Sequence, residues 1–140
     1  MMNIDEKIRE IAVNTFPDWS FVFDDWFGAD KTIGKVKLPV VMELLPVAGA
    51  ITLRNGQTRN SQTCVIAFLD RVRRDAQGGD ESEVYNRMVL AAETFIRALN
   101  ASGFFEQVTN VTYYVVPEQT ATIVTGVYLD LTLTEVVGRC

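Results

Sequence analysis

The sequence contains no histidine, so it lacks the commonest general base and the commonest metal ligand among side chains. Its two cysteines, Cys64 and Cys140, do not have the spacing of a metal site. No stretch approaches the roughly 18 apolar residues of a membrane-spanning helix. These absences favour a protein that is not an enzyme, holds no cofactor and does not enter a membrane.

The length and composition are those of one soluble globular domain. The chain has 140 residues, of which 48% are hydrophobic and 22% charged, so we expect a single domain over residues 1–140. The opening MMNIDEKIRE is acidic, whereas a signal peptide begins basic and then apolar, so we expect a cytosolic product. The net charge of −5 excludes a uniformly basic nucleic-acid binder.

The first elements carry clear boundary signals. Asn3 followed by Glu6 is a capping-box pattern, which predicts a helix start, and Pro17 predicts its end. One face of this helix carries the apolar residues Ile4, Ile8 and Ile11. The aromatic and β-branched segment Ser20–Asp24 predicts a short strand, and Phe27–Lys37 is typical of a loop.

A hairpin is predicted in the middle of the chain. Pro39–Leu45 reads as a strand bounded by prolines, the second being Pro46. A further strand, Ala50–Arg54, leads into Asn55-Gly56, the dipeptide most typical of a tight hairpin turn. The returning segment Gln57–Thr63 is wholly polar. We therefore expect the hairpin to project into solvent or onto a partner.

The second half of the chain predicts one long helix and a second hairpin. Cys64–Val72 reads as a buried strand. Asp80 with Glu83 predicts the start of a helix, and Gly103 suits a left-handed residue just past its end.

The predicted second hairpin completes the fold class. Phe104–Val116 predicts a strand, with a break near Asn110 left open. Pro117 predicts a turn, and Ala121–Val136 a long strand whose apolar residues alternate. No strand–helix alternation recurs. The fold class expected is α+β, a mostly antiparallel sheet with two main helices packed on one face and a long C-terminal β-hairpin.

Two segments have a superficial likeness to chemical sites. The glycine-containing segment 28–36 approaches a phosphate-binding loop, but its glycine spacing is one residue too long, and Val36 stands where a Ser or Thr is needed. Asp24, Asp25 and Asp30 could hold a cation. Adjacent strand residues point to opposite faces, so a solvated strand end is the favoured interpretation. A small metal-dependent hydrolase at these carboxylates stays open as an alternative.

Charge is distributed unevenly along the chain. The segment 54–74 contains one aspartate and five arginines, and so carries +4 and leaves −9 for the remainder. No Lys or Arg occurs between Arg97 and Arg139, whereas four acidic residues do. Arginines that only solvate a hairpin and a loop would explain this division. The alternative is a basic edge that meets an acidic edge on another copy or on a partner and so orients the two. The candidate interface residues are Arg54, Arg59, Arg71, Arg73 and Arg74.

The order of elements resembles the tail terminator, or tail completion, proteins of long-tailed bacteriophages and the related neck and minor tail proteins. The resemblance lies in the opening amphipathic helix and in a set of local segments. These segments are LPVVMELLPV, CVIAFLD, RMVLAAETFIRALNASG, FFEQV and TGVYLDLTLTEV. The likeness covers nearly the whole chain, and the polar stretch 51–62 does not align.

The resemblance implies a homo-oligomeric ring, usually hexameric, that caps the tail tube, faces the head connector and surrounds a DNA channel. It places the protein in the virion tail or neck, assembled in the host cytoplasm. An acidic C-terminal hairpin lining the channel would repel DNA phosphates and let the duplex pass without specific binding. The candidate channel-facing residues are Glu118, Thr122, Tyr128, Asp130 and Thr132. The alternative is a non-enzymatic α+β binding or adaptor module that uses the Arg54–Arg74 basic segment.

Overall fold

The computed structural model describes residues 3–25, 37–71, 80–119 and 124–136. All but the last residue of the predicted loop Phe27–Lys37, and the first three residues of the last predicted strand, lie outside the described residues. The described elements, in chain order, are α1 (Ile4–Thr15), β1 (Ser20–Asp25), β2 (Val40–Arg54), β3 (Gln57–Arg71), α2 (Asp80–Ala101), β4 (Thr112–Gln119) and β5 (Val124–Thr134).

The α+β fold class is confirmed. The described strands form one sheet in the order β1-β2-β3-β5-β4, in which only β1 and β2 run parallel. β4 and β5 form the predicted C-terminal hairpin. Both helices pack on the same face of the sheet, because their apolar residues share one buried cluster with alternate residues of β3 and β5.

The helix ends follow the predicted signals. The side chain of Asn3 accepts a hydrogen bond of 2.8 Å from the backbone N–H of Glu6, and the helix ends at Thr15, two residues before Pro17. After α2, Gly103 has a φ of 78°, the left-handed conformation that glycine adopts without steric cost. Both boundary predictions are therefore confirmed.

The predicted break at Pro46 is wrong. Val40–Arg54 is one strand, and the register against β3 shifts between Leu44 and Ala48. A proline lacks the N–H that a ladder requires, but here the irregularity sets three β2 residues, 45–47, opposite one residue of β3 and so accommodates it. The predicted turn at Pro117 fails in the same way, because β4 runs to Gln119 with a register shift between Val116 and Gln119.

The predicted strand Phe104–Val116 is also wrong in its first half. Phe105 forms only an isolated bridge with Glu135, and β4 begins at Thr112. Asn100, near the end of α2, explains the difference. Its side chain donates to the carbonyl of Val108 at 3.0 Å and accepts from the N–H of Val108 at 2.8 Å. These bonds hold the segment against the helix end instead of in the sheet.

The two faces of the sheet are buried to different extents. On the helix face, Phe68 makes edge-to-face contacts with Phe95 of α2 and with Phe16, at ring-centroid distances of 5.6 and 6.2 Å. On the opposite face, a smaller buried cluster occupies one end of the sheet. Its members are Val40, Met42, Leu44, Ala67 and Leu69.

Candidate assembly interface

The distal half of the β2–β3 hairpin extends beyond the other described strands. β5 pairs with β3 only from Ser61 onward, so the hairpin between residues 50 and 60 is two-stranded. Asn55 and Gly56 close it with φ values of 53° and 77°, the pair of positive values that a type I′ turn requires. We call residues 48–60 the arm.

Side-chain bonds fix the base of the arm to the body of the protein. The Glu135 carboxylate accepts from Lys7 of α1 at 2.5 Å and from the Asn60 amide at 3.3 Å. Gln62 donates to the Asp5 carboxylate at 2.7 Å. Because these bonds join the arm base to α1 and to the end of β5, we expect the arm to keep a defined direction.

Two large apolar side chains on the arm are exposed. Ile51 and Leu53 retain 72% and 75% of their accessible surface. They lie opposite Asn60 and Thr58 of β3, so by strand alternation they share the helix-side face of the sheet. Neighbouring exposed apolar side chains on a projecting element are typical of a protein–protein contact surface.

The opposite edge of the sheet carries a second exposed strip. β4 is the last strand in the sheet order, and Tyr113 and Val115 are about half exposed. They lie opposite Leu129 and Val127 of β5, which places them on the helix side. Tyr114 points to the other face and stacks on Tyr128, with ring centroids 5.0 Å apart.

The candidate arginines do not form one patch. Arg54 is the last residue of β2, and Arg59 lies in the arm, where it pairs with Glu106 at 3.3 Å. Arg71 ends β3 and is exposed, about 40 Å from Arg59 at the usual strand rise. Arg73 and Arg74 lie outside the described residues. The structure therefore divides the described arginines between the arm and the far end of β3.

The candidate channel residues are placed only in part. Tyr128, Asp130 and Thr132 alternate along β5 on the face away from the helices, with Asp130 and Thr132 exposed. Glu118 belongs to β4, and Thr122 lies outside the described residues.

Hydroxyl groups dominate this face next to Asp130. The Thr132 hydroxyl lies 3.3 Å from that of Thr63, and the Thr134 hydroxyl lies 2.8 Å from that of Ser61. These neutral hydroxyl groups form hydrogen bonds with one another. The exposed part of this face is therefore polar, and Asp130 is the charged residue that β5 contributes to it.

A buried carboxyl under α1 is the feature that sequence patterns do not reveal. Glu43 of β2 is fully buried, and neither of its oxygens has a partner in ordinary hydrogen-bond geometry. Burial is the main reason that its pKa is raised to about 9, and the neighbouring Asp5 carboxylate adds to the shift by favouring the protonated form. Glu43 is therefore neutral at pH 7.

The described residues offer little for catalysis. Burial, with the nearby acidic groups Glu43 and Asp5, raises the pKa of the Cys64 thiol to about 12, so the reactive thiolate does not form near neutral pH. Asp24 and Asp25 end β1, whereas Asp30 lies outside the described residues. Within the described ranges, no three metal-ligating side chains come together, and no helix is long and apolar enough to cross a membrane.

No protein-family model matches the sequence, and a search of curated proteins finds no significant match. The features of the molecule that bear on function are therefore the arm, the β4 edge and the charge distribution.

Proposed function

We propose that this chain is a non-enzymatic, ring-forming subunit of a bacteriophage tail or neck, which caps the tail tube or joins it to the head connector. The arm is the observation that carries the proposal. A projecting hairpin that exposes Ile51 and Leu53 to solvent lowers the solubility of a monomeric protein. In an assembly, a neighbouring subunit covers such residues. The order of elements along the chain, described above, supports the same assignment.

The second support is the exposed edge of the sheet. Edge strands offer unpaired backbone groups, and natural proteins usually shield them with charges, prolines or short length. The stretch of β4 from Thr112 to Val116 contains neither a charge nor a proline. An edge of this kind, with Tyr113 and Val115 exposed, suits a strand that a neighbouring subunit covers.

The charge distribution suits a channel for DNA. No basic residue occurs between Arg97 and Arg139, and Asp130 and Thr132 are exposed on the face of β5 away from the helices. In a ring, that face would line the channel, together with Glu118, Thr122 and Tyr128. Along β5 this face carries no positive charge, so phosphates find no cation there to bind and the duplex can slide. Arg59 of β3 lies on the same face but pairs with Glu106.

Within this proposal the protein is a homo-oligomer, with a hexamer as the expected ring. It contacts the tail tube protein and the head–tail connector protein, and needs neither a cofactor nor a membrane. It belongs to the virion tail or neck and is assembled in the host cytoplasm.

The test is association with itself and with the tail tube protein encoded in the same genome. The purified chain, alone and mixed with tubes, is analysed by sedimentation velocity and negative-stain electron microscopy. We expect rings of one diameter, or caps at one end of the tubes. A chain that stays monomeric at the highest soluble concentration and leaves tube ends bare would contradict the proposal.

The adaptor alternative predicts a different result. A module that binds nucleic acid through residues 54–74 would show DNA or RNA affinity that falls steeply with salt. The separation of Arg59 from Arg71 by about 40 Å along β3 disfavours it, because a strong electrostatic footprint needs clustered cations. A filter-binding titration between 50 and 300 mM salt distinguishes the two, and the ring subunit is expected to bind weakly throughout.

A further inference from the structure

We propose that the arm of one copy pairs with the β4 edge of a second copy, so that the sheet continues from subunit to subunit. This inference rests on the proposed function, since it names the contact by which the ring would form. The partner that binds the arm is therefore another copy of the same chain, in a head-to-tail arrangement.

Both edges are available for pairing among the described strands. β1 pairs with β2 only as far as Leu45, so the outer edge of β2 from Ala48 to Arg54 has no described partner strand. β4 pairs with β5 on one side and is the last strand on the other. In a subunit placed in the same orientation, β2 runs antiparallel to β4, because each of the three steps from β2 to β4 reverses direction. Antiparallel pairing is the more stable arrangement.

The exposed side chains meet on the same face in this arrangement. Ile51 and Leu53 lie on the helix side of the arm, and Tyr113 and Val115 lie on the helix side of β4. A sheet that continues with its faces preserved brings these four residues together as cross-strand neighbours. Aromatic and β-branched pairs of this kind are among the more stabilising cross-strand contacts.

Charge favours the head-to-tail contact over a contact between like surfaces. Between Glu43 and Asp70 the only charged residues are Arg54 and Arg59, so the arm is positive. The hairpin of β4 and β5, residues 112–134, contains two acidic residues, Glu118 and Asp130, and no basic one. Two arms or two β4 edges together would place like charges side by side. An arm on a β4 edge pairs opposite charges. Head-to-tail contacts of one kind form a ring where the rotation between copies closes, and a filament where it does not.

Two double variants test the contact. The arm variant carries Ile51→Gln and Leu53→Gln, and the edge variant carries Tyr113→Gln and Val115→Gln. Matched controls replace exposed apolar residues on the helices, Leu90→Gln and Val13→Gln. All four are compared with the unchanged chain by sedimentation velocity, with and without tail tubes, after circular dichroism shows native secondary structure.

We expect each double variant alone to lose the oligomer at concentrations where the unchanged chain and both controls retain it. A mixture of the two variants should form one-to-one dimers and nothing larger, because the intact arm of one fits the intact edge of the other. Val115→Lys, a single charge on the edge, is the second edge variant and should give the same loss.

The outcomes separate this inference from the proposed function. Rings or tube caps that form equally well from both double variants and from Val115→Lys overturn the arm-to-edge contact and leave the ring subunit standing. If the unchanged chain neither self-associates nor caps tubes, both the arm-to-edge contact and the proposed function are contradicted.

Discussion

Gly126 of β5 lies so close to the carbonyl of Phe68 in β3 that no side chain fits between them. A Cβ atom on Gly126 would lie 3.0 Å from the carbonyl carbon of Phe68 and 3.1 Å from the Cα of Leu69, and closer still to the Phe68 oxygen. Backbone atoms form this obstacle, so it is relieved only by moving two central strands apart. The glycine is therefore required for the pairing of β3 with β5.

We expect Gly126→Ala to lower the free energy of unfolding by about 3 kcal/mol, near the upper range for overpacking a core. Gly49→Ala is the matched control, since its Cβ would lie 3.2 Å from the Ser61 carbonyl oxygen in the less constrained arm. Urea denaturation measures both. Equal losses for the two variants would show that the close approach to Phe68 does not set the cost.

The buried Glu43 predicts a pH dependence of stability. Its pKa rises from 4.5 to about 9 on folding, so between these values the folded state holds a proton that the unfolded state releases. The contribution of this group is favourable below pH 4.5 and is lost progressively as the pH rises toward 9, by at most about 1.4 kcal/mol per pH unit.

Glu43→Gln isolates that contribution, because the amide is neutral at every pH and has nearly the same shape. We expect the free energy of unfolding of the variant, measured by urea denaturation, to rise steadily relative to that of the unchanged chain between pH 5 and pH 8. Glu10→Gln, at an exposed position of α1, is the control and should show no such trend. A difference between Glu43→Gln and the unchanged chain that is constant with pH would contradict the prediction.

Asn100 holds the segment between α2 and β4 through two hydrogen bonds to Val108. We expect Asn100→Ala to cost about 2 kcal/mol of stability, at about 1 kcal/mol for each bond, and to speed hydrogen exchange at the Val108 amide. Gln107→Ala, which removes one exposed bond to the Asn100 carbonyl, should cost less. Unchanged exchange at Val108 in Asn100→Ala would refute the assigned role.

The turn of the arm depends on backbone conformation alone. Gly56 has a φ of 77°, and a Cβ atom there would meet nothing within 4 Å. Gly56→Ala should therefore cost about 1 to 2 kcal/mol from the left-handed conformation itself, measured by thermal unfolding. Asn55→Gly, at φ 53°, keeps the turn accessible and should change stability by under about 0.5 kcal/mol. A larger loss for Asn55→Gly than for Gly56→Ala would exclude this explanation.

Features whose causes lie within a few residues of one another could be predicted from the amino-acid sequence. The Asn3 cap, the Asn55-Gly56 turn and the alternation along β5 are local, because a cap, a turn and a strand face depend on neighbouring backbone groups and on a fixed period. These patterns are enough for the α+β class and for the prediction that the hairpin projects.

Tertiary structure decided what depends on partners far along the chain. Pro46 and Pro117 lie within strands because the partner strand accommodates a register shift at each. Glu43 is neutral because α1 and the sheet together exclude water from it. Arg59 and Arg71 separate because β3 carries them toward its opposite ends. Ile51 and Leu53 stay exposed because no other described strand reaches the arm. Each of these features depends on which residues, distant in sequence, pack against the residue in question. No local sequence pattern specifies that packing.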